Sequence, residues 1–120
     1  MITLIKNQQR REETEAQKDR PFGMDCALEN GIFHVSLCGR VDTITAPELL
    51  KKWEAEKASQ EISAVEIDCA KLDYISSAGL RVLLIMQKSS ENGVTVRNIN
   101  ETVKEILAQT GFDSIFLCDQ

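Results

Sequence analysis

General bases are scarce in this sequence. A single histidine, His34, stands among 120 residues, and no lysine near a serine has a companion group that would make it a base, so a serine nucleophile would lack activation. Four cysteines, Cys26, Cys38, Cys69 and Cys118, include no CxxC pair; this spacing excludes a zinc site and a disulfide framework, and all four are expected as buried thiols. No GK[ST] ending closes a glycine-rich loop, so nucleotide binding is not expected by pattern and no cofactor is implied. Long apolar runs are missing too. The longest, Val82–Met86, is far short of the roughly 20 residues of a bilayer-spanning helix, and Met1-Ile2-Thr3-Leu4-Ile5-Lys6 turns polar before a signal-peptide core could form. A cytoplasmic protein without a membrane partner is expected.

Acidic residues outnumber basic ones by 19 to 14, for a net charge of −5. The first 20 residues hold five basic and four acidic side chains, so the acidic excess lies in the remainder, a surface ill-suited to nucleic acid. With 42% hydrophobic residues, the chain fits one compact domain. Residues 7–20, NQQRREETEAQKDR, contain one apolar residue, Ala16, and have no face to bury. Residues 1–22 are therefore expected to form a mobile polar extension ahead of a domain over 23–120.

Hydropathy patterning predicts the elements of that domain. Alternation about Met24–Leu28 and Ile32–Cys38, broken by Asn30-Gly31, predicts a β-hairpin with Phe33, Val35 and Leu37 on its inner face. Thr45-Ala46-Pro47-Glu48 reads as a capping box opening a helix that runs to about Ser59, with Leu49, Leu50 and Trp53 at helical spacing. Ser63–Cys69 alternates as an internal strand, and Asp73 reads as closing a turn after it. Ser76-Ser77 then precede Ala78–Met86, a nearly all-apolar helix ending before Asn92-Gly93. Val94–Ile99 predicts another strand, Asn100 caps a helix closed by Gly111, and Ile115–Leu117 forms a short closing segment. The order β-β-α-β-α-β-α implies an α/β fold with a partly parallel sheet.

The serine pair admits two readings. At a helix start, Ser76 and Ser77 are ordinary N-cap residues. The same turn exposes unpaired N–H groups with partial positive charge, so it tolerates a phosphate placed there by another protein, and a surface docked over it would feel the change. Sequence physics leaves both open.

The segment Asp73–Leu84, DYISSAGLRVLL, resembles the signature of the STAS family, the domains of sulfate transporters and anti-sigma factor antagonists. Gly39-Arg40-Val41-Asp42 with Ala46 is similar to that family's turn between its second strand and first helix, and Val103–Leu107 through Thr110-Gly111-Phe112 to Ile115-Phe116 to its last helix and end. The resemblance spans about Met24–Cys118. It implies a mixed sheet backed by helices and a non-enzymatic partner-switching protein. Such a protein binds a serine kinase of the anti-sigma type when unmodified, is released when phosphorylated, and is reset by a serine phosphatase. By the same resemblance a monomer is expected. Aligned through Gly79-Leu80, the acceptor falls on Ser77, with Ser76 as reserve; this chain reads SSAGLR where the antagonists read DSSGLG or DSTGLG. Asp42, Ser76, Ser77, Gly79 and Arg81 carry over as the partner-binding set. For Asp42, the residues equally allow a turn-capping carboxylate. An unphosphorylated STAS scaffold, or a subunit of a transport or signalling complex, is the alternative.

Overall fold

Asn30 and Gly31 both take positive φ, 54° and 80°, as a tight hairpin turn requires, and they join the first two strands of the fold. The computed structural model describes residues 21–119. Strand β1 (Gly23–Glu29) pairs antiparallel with β2 (Ile32–Val41), Cys26 facing Val35 and Leu28 facing Phe33. Helix α1 (Ala46–Ser59) leads to β3 (Ala64–Ile75), helix α2 (Ser77–Ser89) to β4 (Val94–Arg97), and helix α3 (Glu101–Thr110) to a 3-10 turn (Phe112–Ser114) and β5 (Leu117–Asp119). The sheet runs β1-β2-β3-β4-β5, with every pair after the first parallel.

The expected α/β order is present, and its core follows the alternation. Phe33, Val35, Leu37 and Val41 of β2 and Val65, Ile67 and Cys69 of β3 are buried with Leu49 and Trp53 of α1, Leu80, Leu83 and Met86 of α2, and Val103 and Leu107 of α3. Trp53 meets Phe33 with ring centroids 5.9 Å apart. Phe22, read as part of the extension, packs against this core; the extension up to Arg20 lies outside the described residues.

Several local expectations differ. β3 runs to Ile75, six residues beyond the Cys69 expected from alternation, because it carries two bulges that break its period: Ser36 faces Asp68 but Cys38 faces Lys71, and Gly39 faces Leu72 while Arg40 faces Tyr74. Asp73 is thus a strand residue at the second bulge, not the closer of a turn. β2 likewise continues to Val41, with Gly39 at φ 82° beside the bulges. The capping box at Thr45 does not form. Thr45 makes no side-chain cap bond, because its hydroxyl turns back to the Arg40 carbonyl, 2.9 Å away. Of the four thiols only Cys69 is buried; Cys26 and Cys38 are half-buried and Cys118 is exposed. Burial pushes the Cys69 thiol up to about 12, which keeps it protonated at neutral pH.

On the sheet face opposite the buried set, charged side chains run across all five strands. His34 Nδ1 lies 3.3 Å from Glu66 and its Nε2 4.0 Å from Glu29, while Arg97 pairs with Glu66 at 3.4 Å and with Asp119 at 3.6 Å. His34 is a member of this ladder.

Candidate functional site

The parallel pairing of β2 and β3 brings their ends to one level, Val41 beside Ile75. The next residues leave the sheet together. Ser76 donates its N–H to the Val41 carbonyl at 2.8 Å, so the first residue after β3 is tied to the last residue of β2. The turn Asp42–Thr45 and the start of α2 therefore sit side by side as one small platform.

Each half of the platform is built by local bonds. Ser76 has extended backbone, φ −87° and ψ 175°, and its Oγ accepts the Gly79 N–H at 3.3 Å, the geometry of an N-cap. Ser77 is the first residue of α2 and is exposed. Among the described residues its hydroxyl has no partner. The two serines thus divide the roles left open by sequence: Ser76 caps the helix and Ser77 faces solvent.

Across from them, Asp42 Oδ1 accepts the N–H groups of Ile44 at 3.0 Å and Thr45 at 3.1 Å. Hydrogen bonds from the Thr45 and then the Ile44 amide hold its carboxyl below the usual carboxylate range. The Thr45 hydroxyl oxygen in turn accepts the Asp42 N–H at 2.9 Å. Asp42 is a turn-building residue, and the turn it builds lifts Ile44 into solvent at 78% exposure. Sequence reading passed over Ile44, although an isoleucine inside the polar run Asp42-Thr43-Ile44-Thr45 was the available signal.

The remaining candidates separate by burial. Arg81 is exposed one helical turn beyond Ser77, and Ile85, 37% exposed, follows one turn further. Gly79, expected in the partner-binding set, is buried and has no surface to offer. A Cβ there would lie 2.7 Å from both Val41 Cγ1 and Ile75 Cγ1, so its smallness seats α2 on the strand ends. Arg40 lies over the Tyr74 ring at 4.4 Å, bracing the last rungs of β2 and β3.

Chemically, the platform offers an accessible hydroxyl, a guanidinium and an exposed apolar side chain. His34 is committed to the ladder with Glu29 and Glu66. Among the described residues no group of three or more His, Cys, Asp or Glu is placed to hold a metal ion, and no helix is long and apolar enough to cross a membrane.

Comparison with known proteins places this geometry in context. The family model described as Mlab, STAS domain matches residues 28–118. An anti-sigma factor antagonist of Bordetella bronchiseptica, BtrV, is 36% identical over 93 residues, 72% of this chain and 77% of that protein. Among solved structures, an anti-sigma factor antagonist from Mycobacterium paratuberculosis superimposes with a TM-score of 0.72 at 25% identity, over 82% of this chain and 86% of the other. The unphosphorylated form of the anti-sigma factor antagonist SpoIIAA gives a TM-score of 0.68 at 14% identity, over 83% and 89% of the two chains.

Proposed function

The chain belongs to the STAS domain family, among its anti-sigma factor antagonists, and we propose that it acts there as a partner switch thrown by phosphorylation of Ser77. Unmodified, the domain binds a serine kinase of the anti-sigma type through the Ser77 platform. The kinase then transfers the γ-phosphoryl group of ATP. Ser77 Oγ bonds to phosphorus, the bond from phosphorus to the departing ADP breaks, and the hydroxyl proton passes to a base supplied by the kinase. A serine phosphatase restores the hydroxyl by hydrolysis.

One observation carries this reading: Ser77 is the exposed hydroxyl, without a partner among the described residues, at the first position of α2, beside a cap serine whose oxygen is already used. The fold accommodates the product. A phosphoserine of about −1.5 to −2 charge stands where helix amides favour negative charge, so modification leaves the domain folded. The docked partner bears the cost. A 100-fold loss of affinity needs only about 2.7 kcal/mol, within reach of a new charge and its bulk at a contact.

The test uses the full chain with a serine kinase of the anti-sigma type from the same organism and ATP. Mass spectrometry is expected to find one added phosphate, retained in Ser76→Ala and lost in Ser77→Ala. Titration calorimetry is expected to show Ser77→Ala binding the kinase like the unaltered chain and Ser77→Asp binding at least 10-fold more weakly. Equal binding by all three forms, with no phosphate gained, would reject the switch and favour a constitutive scaffold or complex subunit.

A further inference from the structure

Arg81 stands one turn beyond Ser77 on the outward stripe of α2, and we infer that its guanidinium is an intramolecular binding site for a phosphoryl group carried by Ser77. This deepens the proposed function and rests on Ser77 being the acceptor.

Three observations converge on Arg81. Residues four apart on a helix are surface neighbours, about 5–6 Å between Cβ atoms, and both Ser77 and Arg81 are exposed whereas Leu80 and Val82 between and beside them are buried. Arg81 is also the one charged residue between Ser77 and Gln87, so nothing else on that stretch of α2 competes for it. Finally, of the three arginines among the described residues, Arg97 is paired with Glu66 and Asp119 and Arg40 lies over Tyr74, while Arg81 has no partner. Asp42, across the platform, spends Oδ1 on its own turn.

In the unmodified protein the Ser77 hydroxyl is neutral and gives Arg81 nothing to pair with, so the guanidinium faces whatever docks there. A phosphoryl group on Ser77 changes that within the chain itself. The planar fork of an arginine matches phosphate oxygens two at a time, and a side chain one turn away reaches them without any backbone movement. Phosphorylation then alters the platform twice: it adds an anion at Ser77 and withdraws the neighbouring cation from an incoming surface. A partner carboxylate that meets Arg81 in the unmodified complex would meet a pair of net negative charge instead.

The experiment installs phosphoserine at position 77 of the full chain by genetic code expansion, without any kinase. The phosphate is titrated by phosphorus NMR at low salt in the parent, Arg81→Gln and Arg81→Lys. Helix amides act on the phosphate in all three, so the difference isolates residue 81. Pairing lowers the second ionisation, which ordinarily falls near pH 6; Arg81→Gln is expected to raise its midpoint by about 0.2–0.4 pH unit, with Arg81→Lys recovering part of the shift. The difference is expected to shrink in 0.5 M salt, about a fourfold Debye compression from 0.03 M. Identical midpoints in the parent and in Arg81→Gln would overturn the inference. Because Arg81 is exposed, unphosphorylated Arg81→Gln is expected to keep the thermal midpoint of the unphosphorylated parent, which separates a lost pair from a lost fold. A kinase indifferent to Ser77→Asp would remove the proposed function and leave this titration unaffected, so the two failures are distinguishable.

Discussion

A methyl group added at Gly79 would lie 2.7 Å from Val41 Cγ1 and 2.7 Å from Ile75 Cγ1, closer than relaxed packing holds. Both neighbours are buried β-branched residues at strand ends and have no room to yield. Overpacking of this kind costs about 1–3 kcal/mol, whereas alanine gains about 1 kcal/mol over glycine as a helix former. The steric side wins, so Gly79→Ala is expected to lower the urea midpoint of unfolding and to disturb the proposed kinase binding through a displaced α2. Its sequence position placed it among the partner contacts, because a motif shows which residues recur together and not which of them are covered. The serine pair was more legible. An N-cap pattern is written in four consecutive residues, and the structure needed only to show which hydroxyl the cap consumes. Asp42 lay between these cases: one carboxylate serves equally well as turn builder or contact until the positions of the Ile44 and Thr45 amides are known.

Among the elements, α3 was the most readable, because both its ends are decided locally. Asn100 Oδ1 accepts the Val103 N–H at 2.9 Å, and Gly111 closes the helix at φ 82°. Asn100 also does something its neighbours in sequence do not reveal: its Nδ2 donates to the Leu72 carbonyl at 2.7 Å, pinning α3 to β3 at the bulge. Asn100→Ala removes the cap and that tie together and is expected to cost about 1–2 kcal/mol, with faster amide exchange in the first turn of α3 than elsewhere in the helix. The start of α1 was read less well, since the Thr45 hydroxyl has a competing partner five residues back in Arg40, which no capping pattern includes. The end of β3 was hidden for a similar reason. Its last residues lack strict alternation and are strand because Arg40 and Val41 of β2 pair with Tyr74 and Ile75, a relation made across 34 residues of chain.

At the scale of the molecule, two carboxylates link the fold to acidity. Asp42 is held below its usual range by the Thr45 and Ile44 amides, and Asp68 by the Asn98 side chain and the Ala70 N–H. Both are lowered in the folded chain, so the stability they contribute is complete above the unfolded value near 3.9 and is lost as pH falls through the folded values. Thermal melts from pH 6 down to 2.5 are expected to show the midpoint dropping below about pH 4, with a shallower acid limb in Asp42→Asn/Asp68→Asn than in the parent. The α/β order of elements was readable through α3 because apolar period and turn chemistry agreed along most of the chain, whereas the closing segment expected at Ile115–Leu117 is a fifth strand at Leu117–Asp119, too short to show a period of its own. The rail of ionisable groups from Glu29 through His34, Glu66 and Arg97 to Asp119 was not readable, since it needs the register of five strands at once. That rail bears on how crowded copies behave. A second sheet laminating onto this face at the ~10 Å spacing of stacked β-structure would have to strip water from an ionisable side chain on every strand, so fibre growth is opposed on the side opposite the described helices.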